Sequence, residues 1–239
     1  MYHPNNKTST SAASGIGLKN ERSLHAAIKE WYSQPGDEFE VTVDNFIVDI
    51  VRDDVLIEIQ TKNLSSIGRK LRSLSENHPV RLLYPIPKEK WIVRVSKSGK
   101  KVLSRRKSPK KGQLSDIFDE LVSIPDLMKE ENFMMEILMI QEEEIRCDDG
   151  KGSWWRKGMS IVDRRLLDVV ESIHFRDNRD FRIFLPETIS QPFSNKLLAE
   201  QMNVSVYHAQ KITYCLKKMG LLKEVGKRGN ELLFEIANE

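Results

Sequence analysis

The chain starts without an apolar rhythm and acquires one near residue 20. Over 20–32, Leu24, Ala27, Ile28 and Trp31 recur at the three- and four-residue steps of one helix face. The pattern then changes to β-branched runs. A strand is expected over 39–43, and Phe46-Ile-Val-Asp-Ile-Val51 and Val55-Leu-Ile-Glu-Ile-Gln60 flank the turn signal Arg52-Asp-Asp54. With Asp53 and Asp54 as a two-residue loop, Arg52 pairs with Val55, and counting back sets Asp49 opposite Glu58. Phe46, Val48, Ile50, Val55, Ile57 and Ile59 then form the other, apolar face, while Ile47, Val51 and Leu56 surround the acids with hydrocarbon. Beyond the hairpin, Leu64, Ile67, Leu71 and Leu74 predict a second helix over 64–74. Pro79 ends the connection, and strands are expected over 80–84 and 91–95.

In the second half, apolar stripes at Ile117, Leu121, Leu127, Phe133, Ile137, Leu138 and Ile140 predict two helices broken at Pro125. Ile161, Leu166, Leu167, Val169, Val170 and Ile173 predict a further helix over 161–173. Residues 194–202 and 205–219 read as two Ser-capped helices joined by a tight turn at Asn203-Val204. Their shared core would take Leu197, Leu198, Met202, Val204, Val206, Ala209, Ile212, Leu216 and Met219. A hairpin with a basic tip follows, through Gly226-Lys-Arg-Gly-Asn230 into Leu232-Leu-Phe-Glu-Ile236. The expected division is a polar, disordered tail over 1–15, an α/β domain with a basic strip over 16–112, a helical bridge with a Trp/Gly loop over 113–159, and a mainly α domain over 160–239.

Composition adds bounds. With 239 residues, 31% charged and 39% hydrophobic, the chain has room for two small domains and a sizeable core. Cys147 and Cys215 stand alone, without the paired spacing of a zinc or redox site, which argues for a reducing, cytoplasmic setting. No run approaches the roughly 18 apolar residues that span a bilayer, so no membrane partner is expected.

Charge changes the picture more. The net charge of +3 conceals eleven Lys or Arg against one acid over 86–112, then twelve acids against two cations over 113–149. Lys97, Lys100, Lys101, Arg105, Arg106 and Lys107 suit a nucleic-acid backbone. The alternative is pairing within the chain, basic strip against acidic stretch. Trp154 and Trp155, among glycines and cations, suit stacking on unpaired bases or plugging an interface.

Asp49 and Glu58 carry the candidate chemistry. Two like charges with Cβ atoms about 5 Å apart repel, and a divalent cation between them removes that cost. Two carboxylates, with remaining positions open to water and phosphate, are what Mg²⁺ requires, which points to phosphodiester chemistry. On these residues the chain resembles the PD-(D/E)XK phosphodiesterase superfamily, whose core is a helix bearing a Glu, a hairpin bearing Asp then Glu-x-Lys, a second helix and another strand.

That resemblance covers about residues 16–95. It implies an α/β fold of restriction-endonuclease type, a mixed sheet flanked by helices, with Mg²⁺ or Mn²⁺ as cofactor. Asp49 and Glu58 would be the metal ligands, Gln60 would hold the attacking water, and Glu21 would complete the acidic cluster from the first helix. His25 would orient Glu21, or is a partly buried helix histidine. The sequence departs from the pattern at Gln60, where the family has Lys. A Glu-x-Gln variant occurs among restriction endonucleases, but an amide orients only by hydrogen bonds. Lys62 shares the parity of Glu58 and Gln60, and its long stem could return an ammonium to the site.

Residues 160–237 resemble a winged helix. That likeness implies a recognition helix offering Ser205, Tyr207, His208, Gln210, Lys211 and Tyr214, and a wing offering Lys227 and Arg228. The combined expectation is a metal-dependent nucleic-acid phosphodiesterase, a DNA endonuclease acting on double-stranded or branched DNA. A homodimer is compatible with cutting two strands. The alternative is a nuclease-fold DNA-binding or adaptor protein without catalysis.

Overall fold

A computed structural model describes residues 22–237. The tail expected over 1–15 and the candidate acid Glu21 lie outside the described residues. Arg22–Tyr32 (α1) is followed by an antiparallel meander, Glu38–Val43 (β1), Phe46–Arg52 (β2) and Val55–Ile59 (β3). A 3-10 turn at Leu64–Ser66 leads into Gly68–Ser75 (α2), which returns the chain to Val80–Val95 (β4), parallel to β3. Val102–Lys107 (β5) folds back antiparallel on the far half of β4. After the one-turn helix Phe118–Leu121 (α3), Phe133–Cys147 (β6) runs parallel to β4, and Ser160–Phe175 (β7) runs antiparallel to β6.

The strand order is β1-β2-β3-β4-β6-β7 with β5 on β4, a mixed sheet with helices on both faces. Leu24 and Ile28 of α1 cover Ile50, Ile57, Ile59, Leu83 and Leu138 on one face. Leu71 and Leu74 of α2 with Phe118 and Leu121 of α3 cover Val48, Leu56, Leu82 and Met135 on the other. Trp31, expected on the apolar face of α1, is instead 48% exposed. Tyr32 packs there in its place, its hydroxyl donating to Glu136 at 2.7 Å.

Two expected helices are strands. The helical bridge over 113–159 shrinks to α3 and 3-10 turns, because residues from Phe133 onward form β6. Its run Phe133 to Ile140 is buried on both faces, and such a run carries no period that separates strand from helix. The helix over 161–173 is β7, and here the false period has a visible source. Three register shifts along the β6–β7 ladder leave Val170, Leu167 and Val162 as extra residues on β7. Each bulge breaks the two-residue alternation, so apolar side chains recur at the odd spacings of a helix. The strands expected over 80–84 and 91–95 are one strand, continuous through Pro85 and Pro87. Between its pairings with β3 and with β5 that edge of β4 meets a loop, where the Pro87 carbonyl accepts from the Gly112 amide at 3.1 Å.

At the C-terminus, Phe193–Ser194 (β8), Asn195–Met202 (α4), Val206–Lys218 (α5), Leu222–Arg228 (β9) and Glu231–Ile236 (β10) form a helix pair and a small sheet of order β8-β10-β9. Ser194 and Ser205 cap α4 and α5 by accepting from the Leu197 and His208 amides, and Asn203 takes the left-handed turn between them. This unit has no core of its own. Leu198, Ile212, Leu216 and Phe234 belong to one buried cluster with Phe118, Phe133 and Phe175. Phe181 and Phe184, on the 3-10 segment Asn178–Phe184, join the two halves, with the Phe184 ring 4.7 Å from that of Phe118.

Candidate functional site

The β2–β3 ladder pairs Arg52 with Val55, Val51 with Leu56 and Ile50 with Ile57, and Asp49 and Glu58 lie one step beyond it. Strand alternation also breaks there. Val48 and Ile50, two residues apart, join the cores on opposite faces of the sheet. Asp49 is thereby turned toward α1. Its carboxylate accepts from the Ile59 amide at 2.9 Å, lies 3.1 Å from His25 Nε2, and lies 3.5 Å from Lys29 Nζ. Burial pushes this carboxyl up, but the hydrogen bonds from His25 and Ile59 and the nearby positive charge outweigh it and hold it below the ordinary range.

Glu58 is turned toward α2. Its side chain is 5% exposed, and Oε1 lies 2.5 Å from Lys70 Nζ. Burial dominates, the Asp49 charge adds to it, and Lys70 opposes without cancelling it, so the carboxyl is pushed up to about 6. Lys70 also donates to the Ile47 carbonyl, so one ammonium spans β2 and β3. Sequence spacing does not single out Lys70. The one signal is a cation set inside the α2 stripe of Ile67, Leu71 and Leu74, at a position the sheet covers.

Gln60 is engaged by the turn that follows β3. Its amide donates to the Lys62 carbonyl at 2.6 Å and lies 3.3 Å from the Asn63 carbonyl, pinning the turn into α2. The structure thus engages the Gln60 amide in closing that turn. Lys62 sits on the exposed bend beyond β3. His25 is partly buried and bound to Asp49. An open cleft lined by His25, Lys29, Glu30, Phe39 and Glu40 gives solvent access to Asp49.

Among the described residues no three His, Cys, Asp or Glu side chains converge as a metal site. Mg²⁺ commonly uses only one or two carboxylates, with water and phosphate filling the rest. Lys29 of α1 and Lys70 of α2 are the cations that face Asp49 and Glu58.

The basic strip is a hairpin arm. Lys97, Lys100 and Lys101 occupy the β4–β5 turn, and every residue of β5 is exposed. Pairing with the acidic stretch does occur, strand against strand. Arg105 meets Glu143 at 2.6 Å, and Lys90 meets both Glu142 and Glu144 at 3.0 Å. Lys107 binds Glu89 at 2.6 Å, and Arg105 and Lys107 both lie over the Trp91 ring. Lys97, Lys100, Lys101 and Arg106 have no ion-pair partner among the described residues.

The C-terminal candidates divide. Tyr207, Gln210, Lys227 and Arg228 are exposed, with Arg228 3.6 Å from Glu231. His208 and Lys211 instead turn toward α3, where Asp119 lies 3.3 Å from His208 Nδ1 and 2.9 Å from Lys211 Nζ. Two of the expected DNA contacts on α5 are thus engaged inside the protein.

An uncharacterized protein of Treponema pallidum (strain Nichols) is 32% identical over 220 residues, covering 92% of this chain and 86% of the relative. No solved structure matches. The matching family model, described as a domain of unknown function, DUF8091, spans residues 22–176, from the start of α1 to one residue past β7. It takes in the whole large sheet with Asp49, Glu58 and Lys70, and on this match the chain belongs to the DUF8091 family.

Proposed function

We propose that the protein is a metal-dependent nucleic-acid phosphodiesterase acting on DNA, with Asp49, Glu58 and Lys70 as its working residues. The observation that carries the reading is a carboxylate buried one step beyond the hairpin ladder, Glu58, within reach of the charge of its cross-strand neighbour Asp49, each acid served by a cation from a different helix. An ordinary sheet has no reason to bury Glu58 beside the Asp49 charge. The order helix, three antiparallel strands, helix, parallel strand accords with the PD-(D/E)XK likeness drawn from the sequence.

In this reading Asp49 and Glu58 would hold Mg²⁺ or Mn²⁺, which would supply positive charge to the phosphate and lower the pKa of a water. Lys70 takes the part that the sequence pattern gives to position 60. Freed from Glu58, its ammonium neutralises a phosphate oxygen at the same place. His25 holds Asp49 ionised and oriented, and Lys29 adds positive charge at the cleft. The Ser194–Ile236 region is read as a winged helix whose wing and Tyr207 approach the duplex, with β5 tracking the backbone.

The test is cleavage of supercoiled plasmid, linear duplex, single-stranded DNA, a four-way junction and RNA with Mg²⁺, Mn²⁺ or EDTA. Wild type should cut in metal, and Glu58→Ala and Lys70→Ala should each lose at least a hundredfold. Equal cutting by all three, or cutting that survives EDTA, overturns the proposal. One observation favours a second reading, a DNA-binding protein without chemistry: Asp49 and Glu58 are already neutralised by ion pairs. In that case no substrate is cut, and binding is the same in metal and in EDTA.

A further inference from the structure

The most exposed large apolar side chains in the described structure are Trp154 and Trp155, 78% and 85% accessible. They sit on the loop between β6 and β7, a place where burying neither ring costs hydrophobic stabilisation. The loop is nonetheless tightly built. The Gly152 amide donates to the Gly158 carbonyl at 2.8 Å, the Gly158 amide to the Ser153 carbonyl at 3.2 Å, and Asp149 accepts from the Lys151 amide and the Ser160 hydroxyl. A Cβ on Gly152 would lie 1.7 Å from the Met159 carbonyl oxygen, so the closure requires glycine there. The two rings meet edge to face, centroids 4.6 Å apart at 73°, which leaves a broad face of each open to solvent.

The surroundings say what those faces are for. Val95 pairs with Cys147, and the Cys147 thiol donates to the Ser96 carbonyl at 3.4 Å, so the β4–β5 turn and the Trp loop lie side by side at one end of the sheet. Lys97, Lys100 and Lys101 from the turn and Lys151 and Lys157 from the loop are all exposed there. The loop's own acids are engaged by protein groups: Asp148 with Arg94 at 3.3 Å, Asp149 with the Lys151 amide and Ser160. The tip is therefore aromatic and cationic. From the tip the cations extend along the exposed β5 arm for about 20 Å at strand rise, where Arg106 has no ion-pair partner among the described residues and Arg105 and Lys107, paired with Glu143 and Glu89, stay about half exposed.

We infer that this tip is a platform for unpaired nucleotides: the Trp154 and Trp155 faces stack on bases while the Lys97–Lys101 turn and β5 follow the phosphates. A membrane-seated tip wants cations clustered about the aromatics at one depth, whereas an extended polyanion wants them in a row. The row favours the nucleic acid. Duplex DNA hides its base faces, so the ligand is single-stranded or frayed. This deepens the nuclease reading, since it shares nucleic acid as ligand, but it requires no cleavage.

The experiment uses the full chain in EDTA. Probes are a twelve-residue oligothymidylate, a blunt duplex of the same length, and vesicles of phosphatidylcholine with phosphatidylserine. The oligothymidylate should quench tryptophan emission and bind at least tenfold tighter than the duplex. Trp154→Ala/Trp155→Ala should weaken its binding thirtyfold or more, consistent with about 1–3 kcal/mol per stacked base. Gly152→Ala, which keeps both rings but opens the loop, should weaken it several-fold. Because binding is read in EDTA, where the proposed metal site cannot cut, loss of cleavage and loss of the platform are read separately. Equal affinity for oligothymidylate in wild type and the double variant overturns the inference. So does blue-shifted binding to vesicles without binding to the oligonucleotide.

Discussion

Lys70 of α2 sets its ammonium 2.5 Å from Glu58 Oε1 of β3, and Glu58 is only 5% exposed. One helix side chain thus neutralises a carboxylate that the sheet has removed from water. Lys70→Met leaves that charge buried and unpaired, a loss of about 3 kcal/mol. Pairing it with Glu58→Gln removes the charge as well and should recover most of the loss. Urea denaturation of both single variants and the double at pH 7.5 gives the coupling directly. Additive single losses would mean that the two groups do not support one another.

Stability should also report Glu58 through pH. Its carboxyl stands near 6 in the folded protein, against an ordinary value of 4.5, so the folded state holds the proton more tightly. Below 4.5 both states are protonated and the contribution is fully present. Between 4.5 and 6 the unfolded chain releases its proton first, and about 2 kcal/mol is lost as pH rises through the folded value. Asp49 has the opposite sign. Its depressed carboxyl contributes above the ordinary range and loses that contribution as pH falls. Glu58→Gln should therefore remove the fall between pH 4.5 and 7 while leaving the acid limb. An identical pH profile in wild type and variant would contradict the assignment.

The first half of the chain was legible because its elements are local. The two-residue turn at Asp53-Asp54 sets the register of β2 and β3, and the pairing of Arg52 with Val55 follows from counting. The C-terminal caps Ser194 and Ser205 were legible for the same reason, since a cap speaks to its own first turn. Lys70 was not, because its partner comes from another element and no spacing rule links them. The turn toward α1 at Asp49 was hidden too, since a break in alternation leaves no mark in residue types. In β7 the bulges at Val162, Leu167 and Val170 wrote a helical spacing into a strand. The burial of Glu142 and Glu144, 1% and 3% exposed, was not legible either, because their partner Lys90 lies about fifty residues away.

That last pair makes the basic strip heterogeneous. Lys90 serves two buried carboxylates, so Lys90→Ala should destabilise the protein by about 3 kcal/mol or more. Arg106 is exposed on β5, and Arg106→Ala should leave stability within about 0.5 kcal/mol of wild type. For nucleic-acid affinity the order reverses. Arg106→Ala should reduce the salt dependence of binding by about one counterion, which a titration across salt concentrations measures. A stability loss at Arg106 equal to that at Lys90 would show that the strip is structural throughout.

Asp119 clasps His208 and Lys211 from α3, closing part of the α5 face. Asp119 is about half exposed, so its ion pairs contribute little stability, and Asp119→Ala should cost less than about 1 kcal/mol. If α5 approaches DNA, the variant frees His208 and the Lys211 ammonium and should bind duplex several-fold tighter at low salt. Fluorescence anisotropy against salt would detect it. Unchanged duplex affinity, with the fold intact, would remove α5 from the DNA-binding surface and leave the wing and β5.

Gln60 gives the sharpest contrast between sequence pattern and structure. Placing at position 60 the lysine of the PD-(D/E)XK pattern, Gln60→Lys, looks like a repair, and by pattern alone it should raise activity. The structure gives the opposite expectation. The side chain at 60 leaves β3 toward the turn, where its amide holds the Lys62 and Asn63 carbonyls, and Lys70 already occupies the cationic position beside Glu58. An ammonium at 60 can donate to the same carbonyls but adds a charge on the wrong side of the strand end. Gln60→Lys should therefore change stability by no more than about 1 kcal/mol and leave metal-dependent cleavage within threefold of wild type. Gln60→Lys with Lys70→Ala should be as inactive as Lys70→Ala alone. Recovery of cleavage in that double variant would return position 60 to the site, and Lys70 would then be only the partner that keeps Glu58 folded.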